Sequence, residues 1–378
     1  MHASLDTLRG AGIQARYTRF SALDRYFRTE TSPVLSLNVS CGLIDLAKLF
    51  PGLRYPGIEG IDAALACGDV GGEETQIYFT CVEGAPAEGL PSAEEQPFEV
   101  LQLLYDPFRD SFYDPRGIYP LLRRGIVRLR GTPEPESVYS PTADAAVLVS
   151  RYGYRLAGET PFSPQQAQTF FSPESQKTLL SCILSGRDAR GGLRLLESSG
   201  FIDALWPELA GLRGVAHSKE YHPEGGVWDH TLETFQYRKN TDLRLALALL
   251  LHDAGKPYAE ASGRRRFDRH AEIGCHIAEK FLRRLGFQDD LAKDVCFLVR
   301  NHMLPGLIKT LPTYRTESIM ASPLFPLLLE VYRCDLSSTF RGPDGYYEAC
   351  KVYRAFLKHR KNPYRDPDGK KIRGRINA

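Results

Sequence analysis

Long apolar runs, paired cysteines and an excess of one charge are all missing from this chain of 378 residues. Nowhere do about 18 uninterrupted apolar residues occur, which excludes a membrane-spanning helix. The eight cysteines form no Cys-x-x-Cys pair, which excludes a disulfide scaffold and predicts reduced thiols in a cytoplasmic protein. The 48 basic and 46 acidic residues nearly balance, so the net charge excludes neither nucleic acid nor a small anion as partner. The 43% of hydrophobic residues suffices for a globular protein with a sizeable core.

Hydrophobic periodicity changes along the chain. Val34–Val39 and Gln76–Val82 are strand-like, whereas from Asp144 onward apolar residues recur every three or four positions, as over 192–206, which is typical of helices. The prolines of Gly131–Glu136 interrupt both helix and sheet and therefore predict a boundary. We predict an α+β protein with a small α/β head and a larger all-helical part. Its predicted divisions are a head at 1–135, a helical connector at 136–215, a helical domain at 216–340 and a basic C-terminal tail at 341–378.

Two imidazoles and two carboxylates stand out in the helical part. His252 and Asp253 directly follow the apolar run Leu245–Leu251, and burying such a pair costs several kcal/mol unless the groups are paired or bound to metal. His230 lies upstream, and Asp335 interrupts another apolar helical stretch. Core polar groups that satisfy one another are the alternative. The mixed nitrogen and oxygen set predicts one divalent ion, with Mn, Ni, Co, Fe, Zn and Mg all suitable.

The order His…His-Asp…Asp resembles the signature of HD-domain metal-dependent phosphohydrolases. The segments His222–Leu232 and Leu251–Pro257 resemble two sequence motifs, HPEGxxWxHTL and LLHDxGKP. These motifs occur in the HD domain of bacterial CCA-adding tRNA nucleotidyltransferases and related poly(A) polymerases. Tyr105–Phe108 resembles the end of that family's transferase domain, and Phe201–Leu209 its connecting helical region. The resemblance covers roughly 100–340 and implies a transferase-like head joined to a C-terminal HD domain.

The head departs from the family pattern. The family's transferase reaction needs an Asp-x-Asp pair to bind two Mg²⁺ ions, and none occurs through residue 140. Gly71-Gly72 is followed by Glu73-Glu74, which would repel a triphosphate, and the arginine-bearing nucleotide template is poorly matched around Asp144–Arg151. We therefore expect a degenerate head without nucleotidyltransferase catalytic residues, retained as a scaffold or binding surface.

The resemblance assigns further roles around the four expected metal ligands. His270 and His302 are candidates for a second metal ion or for acid–base catalysis, with a helix cap or surface position as the alternative. The residues expected beside the ion or at a substrate phosphate are His222, Lys256, Arg264, Arg265 and Arg266. A turn, a helix C-cap and ordinary exposed arginines explain these five equally well.

Taken together with these residues, the resemblance to HD-domain proteins implies a divalent-metal-dependent phosphohydrolase. Its expected reaction is hydrolysis of a phosphomonoester or a 2′,3′-cyclic phosphodiester, with a nucleotide or an RNA end as substrate and tRNA as a candidate partner. Two alternatives stay open: an active CCA-adding tRNA nucleotidyltransferase or poly(A) polymerase, and a non-catalytic RNA-binding module. No membrane partner is expected.

Overall fold

The computed structural model describes residues 2–29, 34–58, 60–70, 73–83, 96–131, 140–216, 225–261, 269–339, 342–360 and 370. The chain divides into two compact units. The N-terminal unit comprises Met1–Pro207 and Arg283–Leu291, and the C-terminal unit comprises Glu208–Leu282 and Ala292–Ala378. All eight strands of the described residues lie in the N-terminal unit, and helices occur in both units. The predicted α+β class is confirmed.

Six strands of the N-terminal unit form one sheet in the order β3-β4-β2-β1-β5-β6. Neighbouring strands are antiparallel except β2 and β4, which are parallel. The eight strands are Ala15–Tyr17 (β1), Val34–Val39 (β2), Ala63–Val70 (β3), Glu73–Cys81 (β4), Leu104–Asp106 (β5), Ser111–Tyr113 (β6), and the separate parallel pair Ile126–Val127 (β7) and Arg155–Leu156 (β8). The predicted strand Val34–Val39 is thus present as β2, and the predicted strand Gln76–Val82 overlaps β4, which ends one residue earlier at Cys81.

Helices of the N-terminal unit pack on this sheet and on one another. They are His2–Gly10 (α1), Arg19–Phe27 (α2), Leu43–Leu49 (α3), Tyr119–Leu122 (α4), Pro141–Tyr152 (α5), Pro164–Phe170 (α6), Pro173–Leu184 (α7), Ala189–Ser198 (α8) and Phe201–Leu205 (α9). The helical segment expected over 192–206 is two helices, which is a correction. Gly200 separates them with φ at 85°, a left-handed conformation that glycine adopts without strain.

Buried acids of the N-terminal unit each meet an arginine. Arg151 of α5 lies 2.8 Å from Asp24 of α2, and the Tyr152 hydroxyl donates to the same Asp24 oxygen at 2.7 Å. Arg19 lies 2.5 Å from Asp144. Since burying a lone carboxylate is costly, these arginines are what allow α2 and α5 to carry acids into the interior.

The remaining helices belong mainly to the C-terminal unit. They are Pro207–Ala210 (α10), Val227–Thr234 (α11), Leu243–Leu251 (α12), Lys256–Ala261 (α13), His270–Arg284 (α14), Asp289–Asn301 (α15), Thr313–Met320 (α16), Phe325–Ser337 (α17) and Asp344–Arg360 (α18). Helix α12 is its centre: residues 245–251 are all buried, and the helix packs against α11 and α17. Within the described part of the chain, no helix combines the length and apolar content needed to cross a membrane.

Candidate metal centre

Six polar side chains from five elements converge inside the C-terminal unit, and we call them the His–Asp cluster. One histidine lies on α11, a His-Asp pair follows α12, single histidines begin α14 and follow α15, and one aspartate lies on α17. The members are His230, His252, Asp253, His270, His302 and Asp335. Two subsets hold ligand atoms within 4.8 Å of one another, namely His230 with His252 and Asp253, and Asp253 with His270 and His302.

A glycine makes this convergence possible. Helix α12 ends at Leu251, and the turn that follows carries His252 and Asp253 toward the start of α14. A Cβ atom on Gly255 would collide with the backbone carbonyl of His270, so only glycine lets the turn pack this closely. The close approach leaves His270 Nε2 at 3.7 Å from Asp253 Oδ1.

The inner part of the cluster is almost sealed from solvent. His230, His252 and Asp253 are each 1% exposed, whereas the Asp335 side chain is 19% exposed. His230 Nε2 lies 2.9 Å from Asp335 Oδ1, and His252 Nε2 lies 3.2 Å from Asp253 Oδ2. His230 Nε2 also lies 4.0 Å from Asp253 Oδ2, and His252 Nε2 lies 3.9 Å from Asp335 Oδ1. Two imidazole nitrogens and two carboxylate oxygens therefore surround one small space.

Backbone carbonyls orient two of the rings. His252 Nδ1 lies 2.8 Å from the Leu249 carbonyl oxygen, and His302 Nδ1 lies 2.7 Å from that of Val299. Because a carbonyl oxygen can only accept, Nδ1 of each ring must carry the proton. In the neutral rings, the Nε2 lone pairs therefore point into the cluster, which is the tautomer that metal ligation needs.

Ser338 orients the third ring, His230. The Ser338 hydroxyl lies 2.6 Å from the Asp335 backbone carbonyl and 3.1 Å from His230 Nδ1. A hydroxyl has one proton, and the carbonyl can only accept it, so Ser338 Oγ accepts from His230 Nδ1–H. Nε2 of His230 is thereby left to face the carboxylates, as Nε2 of His252 does.

This arrangement needs a positive species at its centre. The 2.9 Å approach of His230 Nε2 to Asp335 Oδ1 is favourable only with a proton or a cation between them, and His252 Nε2 is buried without a hydrogen-bond partner. Lys256 supplies one positive charge, with Nζ 2.6 Å from Asp253 Oδ2. The donor set therefore fits a divalent cation, which imidazole nitrogens and carboxylates bind readily.

The ionisation states also suit a cation. Burial by itself raises the pKa of Asp253, but the facing His252 and Lys256 outweigh it and hold that pKa well below its usual range. Burial likewise opposes the shift at Asp335, where the hydrogen bond with His230 keeps the pKa below its ordinary value. Burial, with a smaller contribution from His252, lowers the pKa of His302 to about 4. At neutral pH the carboxylates are ionised and His302 is neutral, as metal ligands must be.

The structure brings together most of the side chains singled out in the sequence. The six members of the His–Asp cluster and Lys256 lie within one site, while His222 and Arg264–Arg266 lie outside the described residues. Ser338 was missed. Its position three residues after Asp335, at the C-cap that directly follows α17, is the signal that would have found it.

Comparisons with known proteins found one family model and several relatives that are similar to this chain. The family model described as HD domain matches residues 227–336, which include all six members of the cluster. The chain is 34% identical over 195 residues to a CC-adding tRNA nucleotidyltransferase of Thermus thermophilus, covering 49% of this chain and 44% of the relative. It is 28% identical over 207 residues to an A-adding tRNA nucleotidyltransferase of Deinococcus radiodurans, covering 50% and 47%. The chain thus spans less than half the length of these relatives.

The comparison with solved structures also found a CCA-adding enzyme. A Bacillus stearothermophilus CCA-adding enzyme in complex with CTP aligns over 94% of this chain and 80% of its own, with 16% identity and a TM-score of 0.49. The chain carries a C-terminal HD domain. The predicted resemblance to HD-containing tRNA nucleotidyltransferases is confirmed.

The expected activity, in contrast, is wrong. The sequence predicted a phosphohydrolase acting on phosphomonoesters or cyclic phosphodiesters, but the relatives are CC-adding and A-adding tRNA nucleotidyltransferases. This finding agrees better with the alternative of a nucleotidyltransferase. The reason for the error is physical: a cluster of imidazoles and carboxylates determines which ion can bind, and it does not determine which reaction the whole protein performs.

Proposed function

We propose that this chain is a tRNA-processing enzyme that adds nucleotides to the end of tRNA, with tRNA and nucleoside triphosphates as substrates. The observation that carries the proposal is the 34% identity over 195 residues to a CC-adding tRNA nucleotidyltransferase, with an A-adding relative second. A cytoplasmic location belongs to the same proposal, and it agrees with the eight cysteines, none of which forms a disulfide among the described residues.

The HD domain enters this proposal as a metal-binding part. His230, His252, Asp253 and Asp335 would hold one divalent ion, and Asp253 with His270 and His302 would hold a second. A bound ion would supply a fixed positive charge for phosphate oxygens. Lys256 neutralises part of the Asp253 charge. Contacts of His222 and Arg264–Arg266 with substrate phosphates remain predictions, as does the identity of the ion.

Extension of defined tRNAs tests the proposed reaction. Purified protein is incubated with transcripts that lack one, two or three residues of the CCA end, labelled CTP or ATP, and Mg²⁺. We expect discrete extension of at least one transcript by one or two nucleotides. His252→Ala serves as the control for the HD domain, because it removes a proposed metal ligand and leaves the N-terminal unit unchanged. Absence of extension for every transcript and nucleotide would contradict the proposed reaction.

A second candidate function is binding of a tRNA end without nucleotide addition. One observation favours it: Asp24 and Asp144, which are buried in the N-terminal unit, each form an ion pair with an arginine of the same unit. The absence of Asp-x-Asp through residue 140 agrees with this. The extension assay separates the candidates when tRNA binding is measured in parallel, since binding without extension supports the second.

A further inference from the structure

A cavity of about 490 Å³ lies within the N-terminal unit, and none of its lining residues belongs to the His–Asp cluster. Gln76 and Tyr78 of β4 line one side, and residues of α7, among them Glu174 and Lys177, line another. The segment that begins at Arg284 completes the lining. A cavity of this volume is in the range that small-molecule sites occupy.

The residues that line this cavity include more cations than carboxylates. Arg54, Lys177 and Arg284 are cations, whereas Glu174 is the one carboxylate among the lining residues. Both oxygens of that carboxylate are engaged, since Arg54 donates to them at 2.9 and 2.6 Å and the Tyr78 hydroxyl donates at 3.2 Å. The lining therefore carries a net charge of +2, and its carboxylate is held in place by its neighbours.

Backbone carbonyls hold the other two cations, Lys177 and Arg284, in place. Lys177 Nζ donates to the Gly286 carbonyl at 3.2 Å and lies 5.2 Å from the centre of the Phe287 ring. Arg284 Nη2 donates to the Leu205 carbonyl at 3.2 Å. Hydroxyl groups add neutral donors and acceptors, as in the 3.1 Å contact between Tyr78 and Thr178.

We propose that this cavity binds the phosphate group of a nucleotide or of an RNA chain. A lysine offers a compact point charge and an arginine offers a planar fork of donors, and together they match the charge and the oxygens of a phosphate. The excess of positive charge disfavours a cationic ligand. The choice of a nucleotide or RNA phosphate over other phosphates rests on the proposed function.

Binding measurements on matched charge variants test this proposal. Lys177→Gln and Arg284→Gln each remove one lining cation, and Arg283→Gln removes the neighbouring exposed arginine, which lies 3.8 Å from Asp289. Calorimetric titrations use CMP, AMP, inorganic phosphate and a tRNA transcript. We expect both lining variants to weaken binding at least about tenfold while Arg283→Gln leaves it unchanged. Loss confined to CMP and AMP identifies a free nucleotide, and loss confined to tRNA identifies an RNA phosphate.

Equal affinities in the three variants and the wild type would overturn the proposal. So would equal weakening in all three, which would indicate general attraction by surface charge. Lys177→Arg retains the charge and should retain binding, which separates loss of charge from damage to the fold. The tRNA extension assay reports on the proposed function independently. If the wild-type protein extends tRNA but the lining variants bind as tightly as the wild type, only the cavity proposal is refuted. If the lining variants lose binding but the wild-type protein extends no tRNA, only the proposed reaction is refuted.

Discussion

Buried charge is treated in opposite ways in the two units. In the N-terminal unit Asp24 faces Arg151 and accepts a hydrogen bond from the Tyr152 hydroxyl, so its negative charge is neutralised by the chain itself. In the C-terminal unit Lys256 neutralises part of the Asp253 charge, but Asp253 and Asp335 also face the Nε2 atoms of histidines whose Nδ1 protons are already engaged. The first arrangement is complete without a ligand. The second is complete only when a proton or a metal ion occupies its centre, and this difference distinguishes an ion pair that supports packing from a binding site.

The largest expected effect is loss of the metal ion from the His–Asp cluster. Asp253→Asn keeps the shape of the side chain but removes the charge that lies near His230, His252 and His270. We expect bound divalent metal to fall from about one ion or more per chain to background. Elemental analysis after dialysis gives the metal content, and circular dichroism checks the fold. Asp229→Asn on α11 is the matched control, and equal metal loss in both variants would contradict the assignment.

Breaking an ion pair in the N-terminal unit should lower stability without affecting metal. Arg151→Met leaves Asp24 buried beside Tyr152 with its main cationic partner removed, which we expect to cost about 3–5 kcal/mol in the free energy of unfolding. Urea unfolding is followed by Trp206 fluorescence in a Trp228→Phe background, so that the signal reports this unit. The exposed Arg155→Met is the control. A cost below about 1 kcal/mol would show that the pair contributes little.

Removal of the group that orients His230 should weaken metal binding without abolishing it. Ser338→Ala deletes the hydroxyl that accepts from His230 Nδ1, so the ring is no longer held in the ligating tautomer. We expect metal affinity to fall about 10- to 100-fold. Competition with a fluorescent chelator measures the affinity, with Ser337→Ala as the neighbouring control. Nitrogen NMR of the histidine ring should show the changed tautomer, and an unchanged ring spectrum would refute the role of Ser338.

The smallest expected effect is a pH dependence of stability in the metal-free protein. The pKa of His302 is about 4 in the folded chain, against 6.5 ordinarily, so the unfolded chain binds this proton more readily as the pH falls through that interval. His302 should therefore reduce stability by about 1.4 kcal/mol at pH 5.5 relative to pH 7.5. Urea unfolding in a chelator measures it. His302→Gln should lose correspondingly less stability, and an equal loss in both proteins would contradict the low pKa.

The fold was predictable where local pattern and burial agree. Leu243–Leu251 is apolar at almost every position and forms the central helix α12, and Val34–Val39 forms β2. Strand β3, Ala63–Val70, was not predictable, because its alanines, glycine and aspartate have low strand propensity and its pairing with β4 is a tertiary effect. The break between α8 and α9 was also not predictable, because it depends on the left-handed backbone of Gly200, which hydrophobic periodicity does not show.

The site was predictable from residues that do not belong in apolar helices. His252, Asp253 and Asp335 stand out because charge beside leucine-rich runs is costly. Ser338 did not stand out, since its role depends on a hydrogen bond to His230, 108 residues away. The reaction was mispredicted because the ion-binding residues form one small site, whereas the activity of the chain depends on the whole protein.

Anomalous diffraction from crystals grown with Mn²⁺ is the most direct test of the central claim, that the His–Asp cluster holds a divalent ion. We predict a strong peak between His230 Nε2, His252 Nε2 and the carboxylates of Asp253 and Asp335. The peak should be absent from Asp253→Asn crystals grown in the same way. A map without a peak there, with His230 and Asp335 still in direct hydrogen-bond contact at full Mn²⁺ concentration, would contradict the account.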